Sequence, residues 1–565
     1  MKKEYAADFE TTTQEDDCRV WAWGICEIGT HVFEYGNDLS EFMAFLGDLS
    51  PCRVWFHNAG FDSAFIIDWL MRRGFEWCKE NPSPGQFSTL IDGSGRFYMM
   101  EINQDGRKAT ICDSWKKLPY KLAVVAKTYG LEMSKGELDY DTPRTMGHVL
   151  THDELDYLQR DVLILADAMA SRFDMGRKIT TGADCMANYI DLIGGKGAFR
   201  ALFPQLNPIM DKEIRAAYRG GFVYVNPRHQ NEVIGRGIRL DVNSLYPWAM
   251  RENMMPWGKP QRFTGKPKET EALPLWVCEI TFAAYLKPGK LPCIQMNNNR
   301  FMNNYVRETS GPITLWVTSI DWLTICEMYD VTVYEWHAGY YFHAQLGMFD
   351  DYIDHGMRGK VNAKTKGERT NYKLWLNNLY GKFGTNPEAG YKKPVMLDGA
   401  VEYPLEGIDE RDSVYIPVAA FITAFARRKT ILTACEFGDR FCYCDTDSVH
   451  AIGEGIPSDV CVHESDLGAW KHEATFERAK FLRAKTYVET VEGINEFTCA
   501  GMSDGIKGVM TFEDFAPGFT TDRGRAELEG RDIPERYFDP KIQKLVPKHV
   551  PGGVILVPRP FTIHV

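Results

Sequence analysis

The stretch "FCYCDTDSVH", residues 441–450, places two acidic residues inside what otherwise reads as a buried strand. Asp445 and Asp447 are two positions apart, so on a strand their side chains share a face, and at a hairpin tip both could point at one spot. Like charges repel there unless a cation neutralises them, and carboxylate oxygens are ligands that suit Mg²⁺. Because Asp-Thr-Asp is also common turn chemistry, the motif alone leaves a metal site and a simple turn both open.

Asp241 is a third acid that could join this pair. It ends the apolar strand "IRLD" just before "VNSLYP". A lone acid after a strand is usually a cap or turn residue. Two-metal phosphoryl transfer needs a cluster of carboxylates, since its ions lie ~3.5–4 Å apart and clamp the attacking and leaving oxygens. Asp241 therefore gains interest as a candidate to complete such a cluster.

A basic, helical stretch precedes these acids, "RGKVNAKTKGERTNYKLWLNNLYGKF" at 358–383. Lys373, Asn377 and Tyr380 are spaced i, i+4 and i+7, which puts them on one helix face. Its first part, residues 358–373, carries six cations and one opposing acid: Arg358, Lys360, Lys364, Lys366, Arg369 and Lys373, with Glu368. A solvated amphipathic helix is the usual explanation. The alternative is a triphosphate site, because cations bind phosphates and an aromatic ring can stack on a base.

A separate acid set lies near the N-terminus. Asp8 and Glu10 alternate on a predicted strand, and Asp62 opens a predicted helix after "FHNAGF". Tyr157 and Asp161 are one turn apart on a helix with a capping-box signature. Each acid alone could be a cap or a surface charge. Together they resemble a set that holds two metals, with a phenol able to orient a water.

The amino-acid composition limits the classes of protein to which the chain can belong. The chain has 565 residues, a net charge of −12, 44% hydrophobic and 25% charged residues. This balance argues against a generic basic nucleic-acid coat, although local basic grooves remain possible. The 14 cysteines have no paired CxxC spacing, which favours reduced core residues over zinc or disulfides. With no apolar signal segment and no run long enough to span a bilayer, we expect a cytoplasmic enzyme.

The periodicity predicts alternating strands and helices in the first unit, then a mostly β segment after "DVNSLYPWAM". We expect one basic helical stretch after that segment, a hairpin between Pro387 and Asp412, a helix over "PVAAFITAFARRKTILTACEF", and a final apolar strand "GGVILV".

These motifs resemble those of one enzyme family. "DFETTT", "FHNAGFD" and "YLQRD" resemble the exonuclease motifs of proofreading family B DNA polymerases, and "DVNSLYP", "KLWLNNLYG" and "YCDTDS" resemble their polymerase motifs. "YRGGF" and "KTY" complete the pattern, in the family's order and separation. The chain is most similar to the small protein-primed replicases of bacteriophages, up to about residue 520.

The resemblance implies an α+β fold, with an RNase H-like exonuclease domain followed by a right-hand polymerase with two insertions. The implied parts are the exonuclease domain 1–180, palm 181–252, insertion one 253–347, fingers 348–386, insertion two 387–411, palm 412–517 and thumb 518–565. The first insertion is implied to engage a priming protein. The second is implied to encircle the duplex and so to support processivity and strand displacement.

The resemblance also implies roles in the polymerase unit. Asp241 and Asp447 would hold two metals, with Asp445 beside them and the Val242 carbonyl contributing. Tyr246 would reject a ribose 2′-OH. The implied nucleotide-binding residues are Lys360, Lys373, Asn377 and Tyr380. The implied DNA-binding residues are Ser244, Lys485, Thr486 and Tyr487, of which Lys485 and Tyr487 would hold the primer end. Tyr218, Arg219 and Gly220 would help pass strands between the two active sites.

In the first unit, the implied metal ligands are Asp8, Glu10, Asp62 and Asp161, with Tyr157 assisting the attacking water. Glu137 is a further implied ligand, and Lys135 would stabilise charge. The residues implied to hold the frayed 3′ strand are Thr11, His57, Asn58, Phe61, Phe65 and Ser114.

The resemblance implies Mg²⁺ as cofactor, with Mn²⁺ as a substitute, and template, primer strand, dNTPs and a terminal protein as partners. It implies a monomer without a membrane partner in the cytoplasm of an infected host cell. The alternatives are a conventionally primed family B polymerase, an exonuclease with a DNA-binding polymerase-like domain, a non-enzymatic origin scaffold and a reverse transcriptase.

Overall fold

The computed structural model describes residues 2–131, 138–140, 142–298 and 303–564. Lys135 and Glu137 lie outside the described residues, so the expectations for them stay predictions.

The first unit is built on an eight-stranded mixed sheet. Its strands are β1 (Lys3–Thr11), β2 (Val20–Glu27), β3 (Phe33–Gly36), β4 (Cys52–Phe56), β5 (Glu76–Trp77), β6 (Gln86–Ile91), β7 (Phe97–Gln104) and β8 (Arg107–Asp113). Its helices are α1 (Leu39–Leu49), α2 (Asp62–Arg72), α3 (Leu122–Tyr129) and α4 (His152–Phe173). The order is β3-β2-β1-β4-β8-β7-β6-β5, with β1, β4 and β8 parallel.

Helices cover both faces of this sheet, which explains why β1 is apolar on both sides. Tyr5, Ala7 and Phe9 pack with α1 and α2, whereas Ala6 faces the core that contains α3 and α4. Asp8 and Glu10 share the parity of Ala6, so the alternation of the strand directs them to the α4 side.

The predicted capping box at the start of α4 is confirmed. The Thr151 side chain accepts from the Glu154 N–H, and the Glu154 carboxylate accepts from the Thr151 N–H at 2.9 Å.

The next segment enters the second unit. Its helices are α5 (Thr181–Leu192), α6 (Lys196–Leu202), α7 (Pro208–Arg215) and α8 (Leu245–Glu252), and its strands are β9 (Val223–Val225), β10 (Val233–Ile234) and β11 (Gly237–Val242).

The predicted β segment after α8 forms a four-stranded sheet with a hairpin and one helix. Its elements are β12 (Met255–Thr264), β13 (Leu275–Leu286), β14 (Ile294–Asn298), β15 (Asn303–Val306), β16 (Ile313–Thr318), α9 (Ser319–Met328) and β17 (Tyr329–Gln345). The sheet order is β12-β17-β13-β16. The segment is mostly β, as predicted, and also contains helix α9; Thr318 caps this helix, with its side chain accepting from the Asp321 N–H.

The single basic helical stretch that the sequence predicts is two helices, α10 (Asp350–Asn362) and α11 (Lys366–Phe383). The break falls at Thr365, whose hydroxyl accepts from the Glu368 N–H at 3.1 Å and so starts a new helix. Two nested hairpins follow, with strands β18 (Glu388–Lys392), β19 (Val395–Leu397), β20 (Ala400–Glu402) and β21 (Leu405–Glu410).

The rest of the chain returns to the central sheet. Its elements are α12 (Ile416–Glu436), β22 (Phe441–Asp445), β23 (Ser448–Ile452), β24 (Trp470–Phe476), β25 (Arg478–Arg483), β26 (Thr486–Val491), β27 (Ile494–Cys499), α13 (Asp504–Val509), α14 (Arg523–Leu528), β28 (Lys544–Val550) and β29 (Gly553–Arg559). The central sheet runs β24-β11-β23-β22-β9, beside a second sheet β10-β25-β26-β27.

The C-terminal hairpin packs on the first unit. Val550, Val554 and Ile555 belong to the same buried core as α1 and α2. The predicted final apolar strand is therefore confirmed. It packs the C-terminal end of the chain against the N-terminal unit.

Two candidate active sites

The central sheet brings Asp241 and Asp445 together. Asp241 is the last residue but one of β11 and Asp445 is the last residue of β22, and both pair with Ser448 on the strand between them. Asp447 lies in the turn that precedes Ser448, and its carbonyl accepts from the Val242 N–H at 2.7 Å. Asp241 and the Asp445–Asp447 pair, which are far apart in sequence, thus meet at one end of the sheet.

The turn that contains Asp445 and Asp447, here called the acidic turn, has an unfavourable backbone conformation that contacts with neighbouring residues stabilise. Thr446 has a φ of 62°, in the left-handed region that few non-glycine residues adopt. Its N–H donates to the Phe222 carbonyl at 2.8 Å, and its carbonyl accepts from the Thr430 hydroxyl at 2.6 Å. A Cβ at Gly221 would lie 2.4 Å from the Thr446 hydroxyl oxygen, so only glycine fits there. Gly221 was not predicted as a site residue, although the quoted motif "YRGGF" contains it.

The electrostatics of Asp241 and Asp447 fit a bound cation. Burial and the neighbouring Asp447 charge raise the pKa of Asp241 to about 7. Burial also raises the pKa of Asp447, and Asp445 adds to this. Two carboxylates whose ionised forms are disfavoured in this way are stabilised by a divalent cation. Within the described residues no three His, Cys, Asp or Glu side chains form a ligand group, so substrate oxygens would have to complete the coordination.

Asp445 is engaged differently from the other two acids. The Lys485 ammonium donates to both of its carboxylate oxygens, at 2.7 and 2.9 Å. The Tyr443 hydroxyl adds a bond at 3.3 Å. The Asp445 carboxylate therefore links the acidic turn, residues 445–447, to the "KTY" segment.

A cavity of about 790 Å³ opens beside Asp241 and Asp447. Lys360 from α10 and Lys373 from α11 line it, together with Asn377 and Tyr380. Burial, Arg369 and Lys373 together lower the pKa of Lys360, because burial and neighbouring positive charges both disfavour the charged ammonium. The cavity suits a polyanion.

Several further residues line this cavity and were not predicted as site residues, among them Arg369, Lys471 and Glu473. Arg369 was recognised as one of the helix cations. Lys471 and Glu473 lie on β24, where Asp241 pairs with Lys471, and strand pairing of this kind has no signal in local sequence.

Tyr246 and Tyr380 form one aromatic wall of the cavity. Their ring centroids are 3.9 Å apart and nearly parallel. Tyr246 belongs to α8, and Ser244, with a φ of 57°, starts that helix. The structure thus brings together residues that the sequence places far apart.

The remaining predicted strand-contacting residues have structural contacts of their own. Arg219 is buried, which lowers its pKa, and it donates to the Trp316 carbonyl at 3.0 Å. The Gly220 carbonyl accepts from Arg427 at 2.8 Å. The Tyr218 ring packs beside Gly384. Thr486 is fully buried, so its side chain supports the segment from inside.

The second candidate site lies in the first unit. A cavity of about 460 Å³ is lined by Asp8, Glu10, Asp62, Tyr157 and Asp161. Two of these acids come from β1, one from the first turn of α2, and one from α4, where Tyr157 is one turn earlier. The predicted acids therefore converge on one space.

The charges in this cavity also fit cation binding. Burial, the Asp8 charge and Asp113 raise the pKa of Asp62 well above its usual range. Burial and Asp161 raise the pKa of Tyr157, whose hydroxyl lies 3.2 Å from that of Tyr140. Tyr140, which also lines the cavity, was not predicted as a site residue.

The predicted strand-binding residues divide into two groups. Thr11, His57, Asn58 and Phe61 line the cavity. His57 shares a hydrogen bond with the Ser114 hydroxyl at 2.9 Å and another with the Tyr120 carbonyl at 2.8 Å. Asn58 and Ala59 donate their N–H groups to Asp113, which shapes the loop.

Phe65 and Ser114 are fully buried. The Phe65 ring lies against Gly553 of β29, and Ser114 acts through His57. In this conformation neither side chain reaches the cavity wall, so their predicted strand contacts remain predictions.

A neighbouring cavity of about 830 Å³ extends the second site toward the nested hairpins and β28–β29. Phe61 and Asn58 line both cavities. Tyr98 and Trp115 contribute aromatic rings, and Lys392 contributes a cation from the hairpins.

The sequence matches the family model for type B DNA polymerases of organelles and viruses over residues 142–458. The chain therefore belongs to this family of DNA polymerases, which confirms the class that the motifs predict and makes it a metal-dependent, DNA-directed DNA polymerase.

Individual relatives extend the match to the whole chain. The chain is 39% identical to the DNA polymerase of Bacillus phage PZA, covering 100% of both chains. It superimposes on phi29 DNA polymerase in complex with primer-template DNA and incoming nucleotide substrates, with a TM-score of 0.91, 38% identity and full coverage of both chains. The phi29 polymerase complex with single-stranded DNA gives a TM-score of 0.89 at 37% identity, again with full coverage. Among the described residues, no helix has the length and apolarity to cross a membrane.

Proposed function

We propose that the two acid-lined cavities are the two active sites of a replicative DNA polymerase, one for nucleotide addition and one for 3′→5′ proofreading. The main support for this proposal is that Asp241 and Asp447 line the same cavity as the cations Lys360, Arg369 and Lys373. This site pairs carboxylates with a cationic wall that suits a polyanion, and the relatives' complexes with primer-template and nucleotide make a triphosphate the natural occupant.

In the polymerase site, Asp241, Asp447 and the Val242 carbonyl would hold Mg²⁺, with Mn²⁺ as a substitute. The metal supplies charge neutralisation for the attacking and leaving oxygens. Lys360 and Lys373 bind the triphosphate, and Asn377 and Tyr380 line the base pocket. Tyr246, stacked on Tyr380, closes the side where a 2′-OH would project. The chain contributes mainly by positioning and by electrostatic complementarity.

In the exonuclease site, Asp8, Glu10, Asp62 and Asp161 would hold the metals, and the Tyr157 hydroxyl orients the attacking water. Phe61 offers a stacking surface for the frayed strand, an interaction worth ~1–3 kcal/mol per base. His57, Asn58 and Thr11 bind its backbone, and Tyr218, Arg219 and Gly220 lie on the route between the sites.

We assign the parts of the chain as the motifs predict. Residues 1–180 are the exonuclease domain, 348–386 the fingers and 518–565 the thumb. The palm is formed by 181–252 and 412–517. Residues 253–347 contact a priming protein, and 387–411 support strand displacement. The relatives are phage polymerases, so we assign the infected host's cytoplasm as the place of action.

The test separates the two activities. Asp447→Asn is expected to lower nucleotide incorporation by at least a thousandfold and to leave degradation of a short single strand within twofold. The double variant Asp8→Ala with Asp62→Ala is expected to do the reverse. Equal loss of both activities in either folded variant would contradict two separate sites.

The conventionally primed alternative is tested with two templates. An origin fragment carrying the cognate terminal protein should be replicated from that protein's hydroxyl. If only oligonucleotide primers are extended, the priming part of the proposal is wrong, while the polymerase assignment stands.

A further inference from the structure

His450 is buried below the segment that holds the primer. It lies on β23, three residues after Asp447, and is fully buried. Its Nδ1 is 2.6 Å from the Glu489 carboxylate on β26, which is also fully buried. The other Glu489 oxygen accepts from Arg239 at 2.6 Å, and Arg239 pairs with His450 across β11 and β23. These groups connect the central sheet to the second sheet.

Three aromatic rings surround the imidazole. The ring centroids of Tyr443, Phe481 and Tyr487 lie 5.2, 5.4 and 5.3 Å from that of His450, all close to edge-to-face. The three rings also contact each other at 5.0–5.5 Å. The imidazole Nε2 has no hydrogen-bond partner within the described residues. The Glu489 bond and the ring contacts therefore hold the imidazole in place.

Two of these rings belong to the primer-holding apparatus. The Tyr443 hydroxyl accepts from the Lys485 N–H at 2.9 Å and donates to Asp445. Tyr487 is the last residue of "KTY". Lys485 has a φ of 56°, a conformation that costs free energy and that its surroundings must hold. A displaced imidazole would move Tyr443 and release the Lys485 backbone.

We propose that His450, fixed by Glu489, is a positioning residue that holds Tyr443 and Tyr487 so that Lys485 meets the primer 3′ end. This inference rests on the proposed function and on the primer-holding role that the family resemblance implies for Lys485 and Tyr487. His450 touches neither DNA nor nucleotide; it acts through the rings.

Two variants separate the hydrogen bond from the ring. His450→Phe keeps a flat ring but loses the donor to Glu489. His450→Asn loses the ring but keeps an amide donor near the position of Nδ1. Single-nucleotide incorporation on a primer-template gives KM for DNA and kcat, and hydrolysis of a short single strand in the same preparation reports on the fold.

We expect His450→Phe to raise the KM for primer-template at least fivefold, with kcat and single-strand hydrolysis within twofold of wild type. His450→Asn keeps the donor to Glu489 but lacks the ring contacts, so its KM is expected to lie between those of wild type and the Phe variant. An unchanged KM in the Phe variant, or a parallel loss of both activities, would overturn the proposal. So would an Asn variant as weak as the Phe variant, because Glu489 would then not be what fixes residue 450.

A parallel Lys485→Met variant distinguishes this inference from the proposed function. If Lys485→Met leaves the KM for DNA unchanged, the primer-holding role itself is wrong. If it raises the KM and His450→Phe does not, only the inference about His450 fails. His229→Gln is the matched control, because the half-buried His229 side chain bonds the Asp439 carbonyl at 3.0 Å, away from the Lys485–Tyr487 segment; we expect wild-type values.

Discussion

At the scale of single residues, the acids of the polymerase site lower the stability of the metal-free fold. Asp241 is an acid whose folded pKa of about 7 lies above its ordinary value, because of burial and the Asp447 charge. The folded state therefore binds this proton more tightly than the unfolded state does. The resulting free energy favours folding at low pH and is lost as the pH rises to about 7.

We therefore expect Asp241→Asn to stabilise the metal-free protein at pH 8. Denaturant unfolding in EDTA should show an increase of about 1–2 kcal/mol, allowing for solvent screening of the full pKa difference. The gain should shrink as the pH falls from 7 to well below 3.8, where the aspartate is protonated in both the folded and the unfolded state. A variant less stable than wild type at pH 8 would contradict the electrostatic picture of this site.

The cations of the nucleotide cavity make the complementary prediction. Lys360→Met keeps the aliphatic stem but removes the positive charge, which Arg369 and Lys373 repel in the absence of a bound phosphate. We expect the KM for dNTP to rise about tenfold, equivalent to about 1.4 kcal/mol of binding free energy. Single-nucleotide incorporation measures it.

Lys364→Met is the matched control for this variant. Lys364 lies in the same basic stretch but is exposed and does not line the cavity. Equal effects of the two substitutions would indicate general electrostatic attraction of the nucleotide and not a specific contact between Lys360 and a phosphate.

At the scale of elements, helix α4 carries two exonuclease residues and is fixed at its start by a charged network. Burial would raise the pKa of Glu154, but bonds from His148, the Thr151 N–H and Arg144 outweigh it and lower the pKa to about 2. The folded pKa lies below the ordinary value, so the stabilisation is present above about pH 4.5 and is lost as the pH falls toward 2.

We expect Glu154→Gln to reduce the free energy of unfolding by about 1–3 kcal/mol at pH 7 and to remove this acid sensitivity. Asp153→Asn changes an exposed acid in the same helical turn and should have little effect. Thermal unfolding at pH 3 and pH 7 checks both variants. A wild-type unfolding free energy in Glu154→Gln would mean that the network does not hold the helix.

Elements also show how far the sequence could predict this molecule. The capping box of α4 and the strand "EYAADFE" follow from local patterns, and both are present. The break at Thr365 was missed because the basic run reads as continuous, although Thr365 with Glu368 is a helix-start pattern. The Lys485–Asp445 bond could not be predicted, because it depends on how two sheets meet.

At the scale of the whole molecule, the C-terminal hairpin and the nested hairpins both pack on the exonuclease unit. This packing buries Phe65 beneath Gly553, and no pattern near residue 65 could indicate it. It also builds the cavity that Lys392, Tyr98 and Trp115 share. Distant segments of the chain thus form the cavity next to the proposed proofreading site.

The nested hairpins give a prediction about processive synthesis. Glu388 and Glu410 are paired across β18 and β21, so a Gly-Gly turn can replace residues 389–409. On a primed single-stranded circle without helicase, wild type should give products many circle lengths long. The shortened chain should stop after one circle, because nothing would hold the displaced strand apart.

Short-template extension and single-strand hydrolysis serve as controls for the shortened chain, because Val401 contributes to the core of the exonuclease unit. Long products from a variant that passes both controls would contradict the role of the hairpins.

The most direct measurement is anomalous diffraction from crystals soaked in Mn²⁺ with primer-template and an unreactive dNTP. We predict manganese between Asp241 and Asp447, and a second, separate set of peaks among Asp8, Asp62 and Asp161. A map in which Asp241 and Asp447 point apart with no manganese between them would contradict the account.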